Sequence, residues 1–582
     1  MNSRWRPMRA RWPRAGPAGR RTAAWPVFIC GAWSSTHAAI TRDGVMDSDA
    51  LLARFRGDNQ RLGTGAAYDN LLRALLAATP GANDWTVLVQ GLLQQLAAGA
   101  GIALAEQGLQ RHPGQLELRY LLGNGLRLVG ERHAAERELR AVLAVQPTHA
   151  GAAASLAHLL RGEGRLQAAA QLALDSLPAL PSPAQLREAL AFVRECDDAR
   201  GALELAQRML RQTPEDGKVH AAAGELALEL GRFEQARVHL RRALALQPHY
   251  APGWLRLAAA HRFRQRDEAD ARLIEQTACG SDPSSEVGIA ARFAWAKVLA
   301  DVDAFDQAAS QLRAANAAMR PRVEWSARGF DAYVQRQIDQ PAPEVQAQRL
   351  GFTPVLIVGL PRTGTTLVAH LLARHPEVRN RGELNWLAQL ALQVETGGRQ
   401  AMQMRESTTL YAAQLRRDDA PARVIVDKNP LNFRHLGMAA ALLPGLRVIH
   451  CQRAARATAL SIYRQMFAHM DNGYAYDFAD IAAFARGEAR LMRHWRATLP
   501  VPFYALDYAR LVSDTEVVLA ELHAFLDLPE ADVGTVPAVP ASIRTASVWQ
   551  ARQKVHRDAL EAWQRWVPHL PELLDTIPES WT

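Results

Sequence analysis

The sequence predicts two architectures in one chain of 582 residues: an all-α array of paired helices, then an α/β domain with a mostly parallel sheet. Three observations carry this. Prolines recur at a nearly constant interval through the first half. After Pro354, short runs rich in valine and isoleucine alternate with helical patterns. A glycine loop joins the first of those runs to a helix.

The prolines fall at Pro80, Pro113, Pro147, Pro181, Pro214, Pro248 and Pro283, at intervals of 33, 34, 34, 33, 34 and 35 residues. Within a unit, Leu118, Leu121, Leu122 and Leu126 make one helical stripe, Gly130 breaks it, and Leu139, Val142 and Leu143 make a second. A small alanine follows each turn residue by four or five positions, as in Gly130 with Ala134, Gly164 with Ala168 and Gly231 with Ala236. Small residues there let two helices approach closely. The pattern resembles the tetratricopeptide repeat from about residue 66 to about residue 320, which implies stacked helix pairs and a surface for a peptide or protein. A helical-repeat region over 46–321, a linker over 322–353 and a second domain over 354–582 follow.

In the second domain the apolar runs are 355–359, 423–427, 446–451 and 502–508. Strands alternating with helices argue for a parallel sheet, whose ligands lie beyond the carboxyl ends of the strands. The first run leads into Pro361-Arg362-Thr363-Gly364-Thr365-Thr366. Successive backbone amides in such a loop face an anion, and the following helix adds its N-terminus. A loop for nucleoside triphosphates carries a lysine that reaches the β- and γ-phosphates. Thr365 stands at that position, which disfavours ATP or GTP as the ligand.

These six residues resemble the 5′-phosphosulfate loop of the sulfotransferase family, which reads proline, a basic residue, Ser or Thr, Gly, Thr, and Ser or Thr. The family's second signature is an arginine at a strand end with a serine eight residues on, matched here by Arg453 and Ser461. Ala454 and Ala455 replace the usual Asp-Pro after that arginine. The resemblance implies 3′-phosphoadenosine 5′-phosphosulfate as donor, with no metal. Its donor-binding residues would be Arg362, Thr363, Gly364, Thr365, Thr366, Arg453 and Ser461.

The stretch 354–582 is similar to the tyrosylprotein sulfotransferase branch and to bacterial repeat-linked sulfotransferases. By that resemblance Glu383, 21 residues after Arg362, is the catalytic base, with Lys428, Arg362 and Ser547 stabilising the developing charge. Tyr508, Ser547, Gln550 and Arg552 would line the nucleotide. The acceptor would be a hydroxyl, and for this branch a protein tyrosine. Leu384 and Trp386 beside Glu383 are expected to desolvate it partly and raise its basicity. His375 and His450 are alternative bases. Two positions depart from the pattern: Ala562 precedes Trp563 where relatives carry a basic residue, and Gln465 replaces an arginine, with Arg464 one position earlier.

Composition limits the remaining classes. The net charge is +9, but 1–45 hold eight arginines against Asp43, so that head accounts for +7 and the rest for about +2. Net charge therefore gives no support to nucleic-acid binding. The head reads as a targeting segment or, more simply, an over-extended start before Met46. No run of 18 apolar residues occurs, so no membrane-spanning helix is expected. The scattered Cys30, Cys196, Cys279 and Cys451 have no metal or disulfide spacing and fit the cytoplasm. The competing reading is a partner-binding repeat scaffold whose second domain is degenerate.

Overall fold

The computed structural model describes residues 48–77, 80–177, 182–340, 350–397, 401–467, 470–530 and 558–581. The basic head 1–45 and the candidates Ser547, Gln550 and Arg552 lie outside them. The chain divides into two compact units, one running up to Leu156 and including 178–188, the other comprising Ala157–Leu177 and everything from Ala189 onward.

The helices of the first half come in pairs, as the proline period requires. They are α1 (Ser48–Leu62) with α2 (Thr64–Ala77), α3 (Ala82–Gln94) with α4 (Ala98–Arg111), α5 (Leu116–Leu128) with α6 (Arg132–Val145), and α7 (Ala150–Gly162) with α8 (Leu166–Asp175). Then follow α9 (Pro183–Glu195) with α10 (Ala199–Gln212), α11 (Gly217–Glu229) with α12 (Phe233–Leu246), α13 (Ala251–Ala259) with α14 (Ala269–Gly280), and α15 (Glu286–Asp301) with α16 (Phe305–Met319).

The turn inside a pair places one residue in the left-handed region: Gly130, Gly164 and Gly231, but also Leu96, Asp197 and Asp303. A buried small residue lies five positions beyond each of these turns, at Gly101, Ala135, Ala169, Ala202, Ala236 and Ala308. Ala134 and Ala168, expected from a four-residue offset, are only half-buried. The turn residue is not itself helical, so the inward face of the second helix comes one position later.

The stretch 322–353, expected to be a linker, carries α17 (Ala327–Asp339). Phe330 and Val334 of α17 are buried, and Phe330 packs against Trp325 and Phe484.

The second half is built on β1 (Thr353–Gly359), β2 (Val378–Asn380), β3 (Val424–Asp427), β4 (Arg447–Gln452) and β5 (Phe503–Asp507). All pairings are parallel, in the order β2-β3-β1-β4-β5. Four strands fall within two residues of the apolar runs, whereas β2, only three residues long, was not expected. Its helices are α18 (Thr365–Leu372), α19 (Trp386–Gly397), α20 (Ala401–Arg416), α21 (Leu436–Leu442), α22 (Ala455–Tyr463) and α23 (Phe478–Thr498). After these come α24 (Tyr508–Ser513), α25 (Thr515–Phe525), α26 (Asp558–Glu561) and α27 (Glu572–Thr576).

β1 is buried along six consecutive residues, as a central parallel strand covered on both faces must be. Val355, Ile357, Val368, Leu372, Ile449 and Leu522 share one core cluster with it. A separate aromatic cluster joins α17 to α23, where Tyr474 and Phe484 stack with ring centroids 3.7 Å apart. The chain crosses from β1 toward β3 on one side and β4 on the other. That reversal is where open parallel sheets bind ligands.

Candidate active site

One geometric fact organises the site: the candidate residues follow the carboxyl ends of different strands. Arg362 lies in the loop after β1, Glu383 after β2, Lys428 directly after β3, Arg453 just after β4 and Tyr508 directly after β5. Parallel register brings those ends to one edge of the sheet, with Gly359 opposite Cys451 on β4 and Leu356 opposite Asp427 on β3.

The loop after β1 has a strained backbone. Arg362 has a φ of 73°, uncommon for a residue with a side chain. Gly364 has a φ of 94° and caps α18; a Cβ there would stand 2.5 Å from Cδ2 of Tyr508. Only glycine fits that position, so the loop and the Tyr508 ring are in direct contact. The Thr363 hydroxyl donates to the carbonyl of Leu360 at 2.7 Å and braces the turn. Thr365 is buried at the start of α18.

Beyond the loop lies a cluster of cations. Arg362 Nε donates to the hydroxyl of Ser461 on α22 at 3.0 Å, and Arg453 Nη1 donates to the carbonyl of Arg362 at 3.1 Å. The Arg453 guanidinium lies 4.6 Å from the centroid of the Tyr508 ring. Arg464 lies 4.6 Å over Trp566. Burial lowers all three arginines, and Arg362 falls to about 10 because Arg453 and Arg464 also repel it. Asp301 pulls Arg464 the other way. An anion among these guanidiniums would relieve the repulsion and accept planar, charge-assisted hydrogen bonds. The residues present thus fit a phosphate group.

The resemblance gave Arg362 a role at the reacting centre as well as in donor binding, with Arg453 and Ser461 as the separate second signature. The structure instead seats the Arg362 guanidinium on Ser461. Its left-handed backbone and the Ser461 hydroxyl hold the side chain on the second signature. Arg464, which the resemblance does not include among the donor residues, comes near enough to Arg362 to repel it. Its position beside the absent arginine at 465 was the available signal, and the turn ending α22 carries it inward.

A second group forms around β3. The Lys428 ammonium pairs with the Glu383 carboxylate; the lysine side chain is 3% exposed and that of Glu383 42%. Glu383 is therefore open to solvent and held by charge, not desolvated by Leu384 and Trp386 as expected. The short β2 and the turn after it end with Glu383 on the surface.

Asp427, one residue before Lys428, is fully buried. It accepts hydrogen bonds from Tyr411 Oη at 2.7 Å, Asn432 Nδ2 at 3.1 Å, and the backbone amides of Leu384 and Asn429 at 3.3 and 3.1 Å. Burial raises its carboxyl to about 6 against those bonds. Asp427 thereby ties together the two loops that carry Glu383 and Lys428. Its only sequence signal was an acid ending an apolar run.

Neither histidine considered as a base is available in this arrangement. His375 Nε2 is 3.0 Å from the carbonyl of Pro529, and its Nδ1 accepts from the Glu377 amide. His450 is buried, with Nε2 on Glu488 at 2.7 Å and Nδ1 accepting from Arg496 at 2.9 Å. Among the described residues no group of His, Cys, Asp and Glu is arranged to hold a metal ion, and no helix is long and apolar enough to cross a membrane.

Comparison with known proteins supplies a name for the second domain. Residues 354–532 match the model of the sulfotransferase family. An uncharacterized protein of Aquifex aeolicus (strain VF5) is 26% identical over 375 residues, covering 60% of this chain and 49% of its own. The chain thus spans about half the length of that curated relative. Among solved structures, the sulfotransferase domain of the Synechococcus PCC 7002 olefin synthase overlaps 39% of this chain and 89% of its own at 17% identity, with a TM-score of 0.28. A thermophilic tetratricopeptide-repeat protein of Thermus thermophilus overlaps 31% of this chain and 98% of its own at 20% identity, with a TM-score of 0.21. Scores this low leave the family match as the finding that identifies the domain. Residues 354–532 form a domain of the sulfotransferase family, carried in one chain with an array of paired helices.

Proposed function

We propose that the chain is a sulfotransferase that moves a sulfuryl group from 3′-phosphoadenosine 5′-phosphosulfate to an acceptor hydroxyl. One observation carries the reading: Arg362, Arg453 and Ser461 are bonded to one another beside a glycine loop that has no lysine, with Arg464 near enough to repel Arg362. A loop with amides and hydroxyls suits the donor's 5′ end, and the arginine cluster suits a 3′-phosphate. A nucleoside triphosphate would place its highest charge where Thr365 stands.

Bound donor supplies an activated sulfuryl group, whose bond to the bridging phosphate oxygen breaks as the acceptor oxygen bonds to sulfur. Glu383 takes the acceptor's proton; exposed and paired with Lys428, it is both reachable and oriented. Lys428 places positive charge beside the reacting centre, where it favours the departing phosphate oxygen. Thr363, Gly364, Thr365 and Thr366 hold the 5′ end through the loop amides and the N-terminus of α18. Tyr508, under Arg453 and against Gly364, offers a face for the nucleotide. Ser547, Gln550 and Arg552 are carried forward as donor ligands on resemblance. The repeat surface would bring a peptide or protein, with a tyrosine as its acceptor.

Calorimetric titration of the full chain with adenosine 3′,5′-bisphosphate beside ATP tests this. Bisphosphate should bind at least about tenfold more tightly, given the charge-assisted bonds the cluster offers. Preference for ATP would point to phosphoryl transfer, and silence toward both ligands to a scaffold; either result sinks the proposal. Incubation of active chain with labelled donor and candidate hydroxyl acceptors then defines the acceptor class.

A further inference from the structure

The segment that closes α20 is bonded on one side to a repeat turn and on the other to the loops of the catalytic pair. All the residues involved belong to the second compact unit. Helix α8 begins after Arg165, which gives its amides no side-chain cap. The cap comes instead from Asp418, whose two carboxylate oxygens accept from the amides of Gln167 and Ala168 at 2.9 Å each. Gln414 Nε2 donates to the carbonyls of Arg161 and Gly162 at the end of α7, at 2.8 and 3.1 Å. Arg417 pairs with Asp197 in the next repeat turn. Gly164, at φ 75°, lies so close that a Cβ would stand 2.2 Å from the carbonyl oxygen of Ala413. This fit is specific: a distant carboxylate supplies the helix cap, and the turn glycine makes room for the helix end.

Neighbouring residues of the same segment face the active site. Tyr411 donates to Asp427, which fixes the amides of Leu384 and Asn429. Arg381, two residues before Glu383, donates to the carbonyls of Leu415 and Arg416 at 2.6 and 2.8 Å and pairs with Asp419. Both loops that carry Glu383 and Lys428 are therefore anchored to one segment, 411–419.

We infer that the repeat turn at 161–168 is a brace for the catalytic pair: Asp418 and Gln414 are positioning residues that seat the end of α20, which in turn orients Glu383 and Lys428 through Tyr411, Asp427 and Arg381. The array then does more than present a binding surface. A partner that shifts the turn between α7 and α8 alters the catalytic pair through a short, continuous set of hydrogen bonds. The assignment of Glu383 and Lys428 as catalytic rests on the function proposed above; the brace itself does not.

The experiment compares hydrogen exchange in the full wild-type chain with that in Asp418→Ala, Gln414→Ala and Asp418→Asn. Losing a cap should speed exchange in the first turn of α8 roughly fivefold to tenfold. The brace requires a similar acceleration at Leu384 and Asn429, with β1 and β4 unchanged. Asp418→Asn, which keeps one acceptor oxygen, should fall between wild type and Asp418→Ala. Faster exchange confined to α8 would overturn the inference, as would uniform acceleration that includes β1 and β4. Bisphosphate affinity, measured on the same samples, should stay within about twofold of wild type, because the arginine cluster lies on other loops. Wild type that ignores the bisphosphate would reject the sulfotransferase reading while the exchange data still judge the brace.

Discussion

Arg362 Nε donates to the Ser461 hydroxyl at 3.0 Å, joining the glycine loop after β1 to the helix after β4 across 99 residues of sequence. The two elements proposed to bind the donor's phosphates are thereby one surface. Arg453, bonded to the carbonyl of Arg362, completes it. Removing Arg453 should weaken adenosine 3′,5′-bisphosphate binding by roughly tenfold to a hundredfold, the range for a hydrogen bond to a charged group. Ser461→Ala should cost less, about fivefold, and Arg453→Lys should not restore binding, since a lysine cannot reproduce the planar fork. Calorimetry measures all three, and an unchanged affinity in Arg453→Ala removes the arginine from the site.

Glu383→Gln keeps the shape of the side chain and removes the base. Turnover should fall at least about a hundredfold, the lower range for general-base catalysis. Bisphosphate affinity should remain within about twofold, because the donor cluster makes no use of this side chain. Transfer at the wild-type rate with labelled donor would exclude Glu383 as the base.

Gly364→Ala tests the loop's backbone. A φ of 94° strains any side chain, and the new Cβ meets the Tyr508 ring at 2.5 Å. The substitution should destabilise the chain by about 1–3 kcal/mol, in the range for a residue forced into a sparsely populated conformation. It should also weaken bisphosphate binding. Thermal unfolding with and without the bisphosphate separates the two effects; neutral behaviour in both would mean that the loop adopts another conformation.

Asp427 predicts a pH dependence of stability. Its carboxyl is raised by burial to about 6 from an ordinary 3.8, so the folded chain holds this proton more tightly than the unfolded chain. The resulting stabilisation is complete below about pH 4 and is lost as pH rises through about 6. Asp427→Asn should remove that component of the curve between about pH 4 and pH 6. Because Asn offers one acceptor oxygen in place of two, it should also destabilise the fold at about pH 7 by about 1–3 kcal/mol, as for a buried polar group losing a partner. Denaturant unfolding across that range measures both, and an identical pH slope in the variant contradicts the shift.

Much of this was readable from residue order. A period of about 34 residues must become stacked helix pairs, because one pair cannot bury its own apolar face. Valine- and isoleucine-rich runs separated by helices must become a parallel sheet, and its chemistry must gather beyond the strand ends. Local patterning thus determined both architectures, four of the five strands, and the loops that carry Arg362, Lys428 and Arg453. Glu383 was reached through the resemblance, because β2 is too short to leave a periodic signal.

Long-range packing decided the rest. The seating of Arg362 on Ser461, the approach of Arg464 to Arg362, and the exposure of Glu383 depend on where loops meet after the sheet has formed. The clearest case is the cap of α8. Arg165 stands where a capping side chain belongs, and nothing near it in sequence supplies one. The carboxylate that does so is Asp418, 251 residues from Gln167 in the chain. A hydrogen bond depends on distance in space, and only the folded chain brings those atoms together.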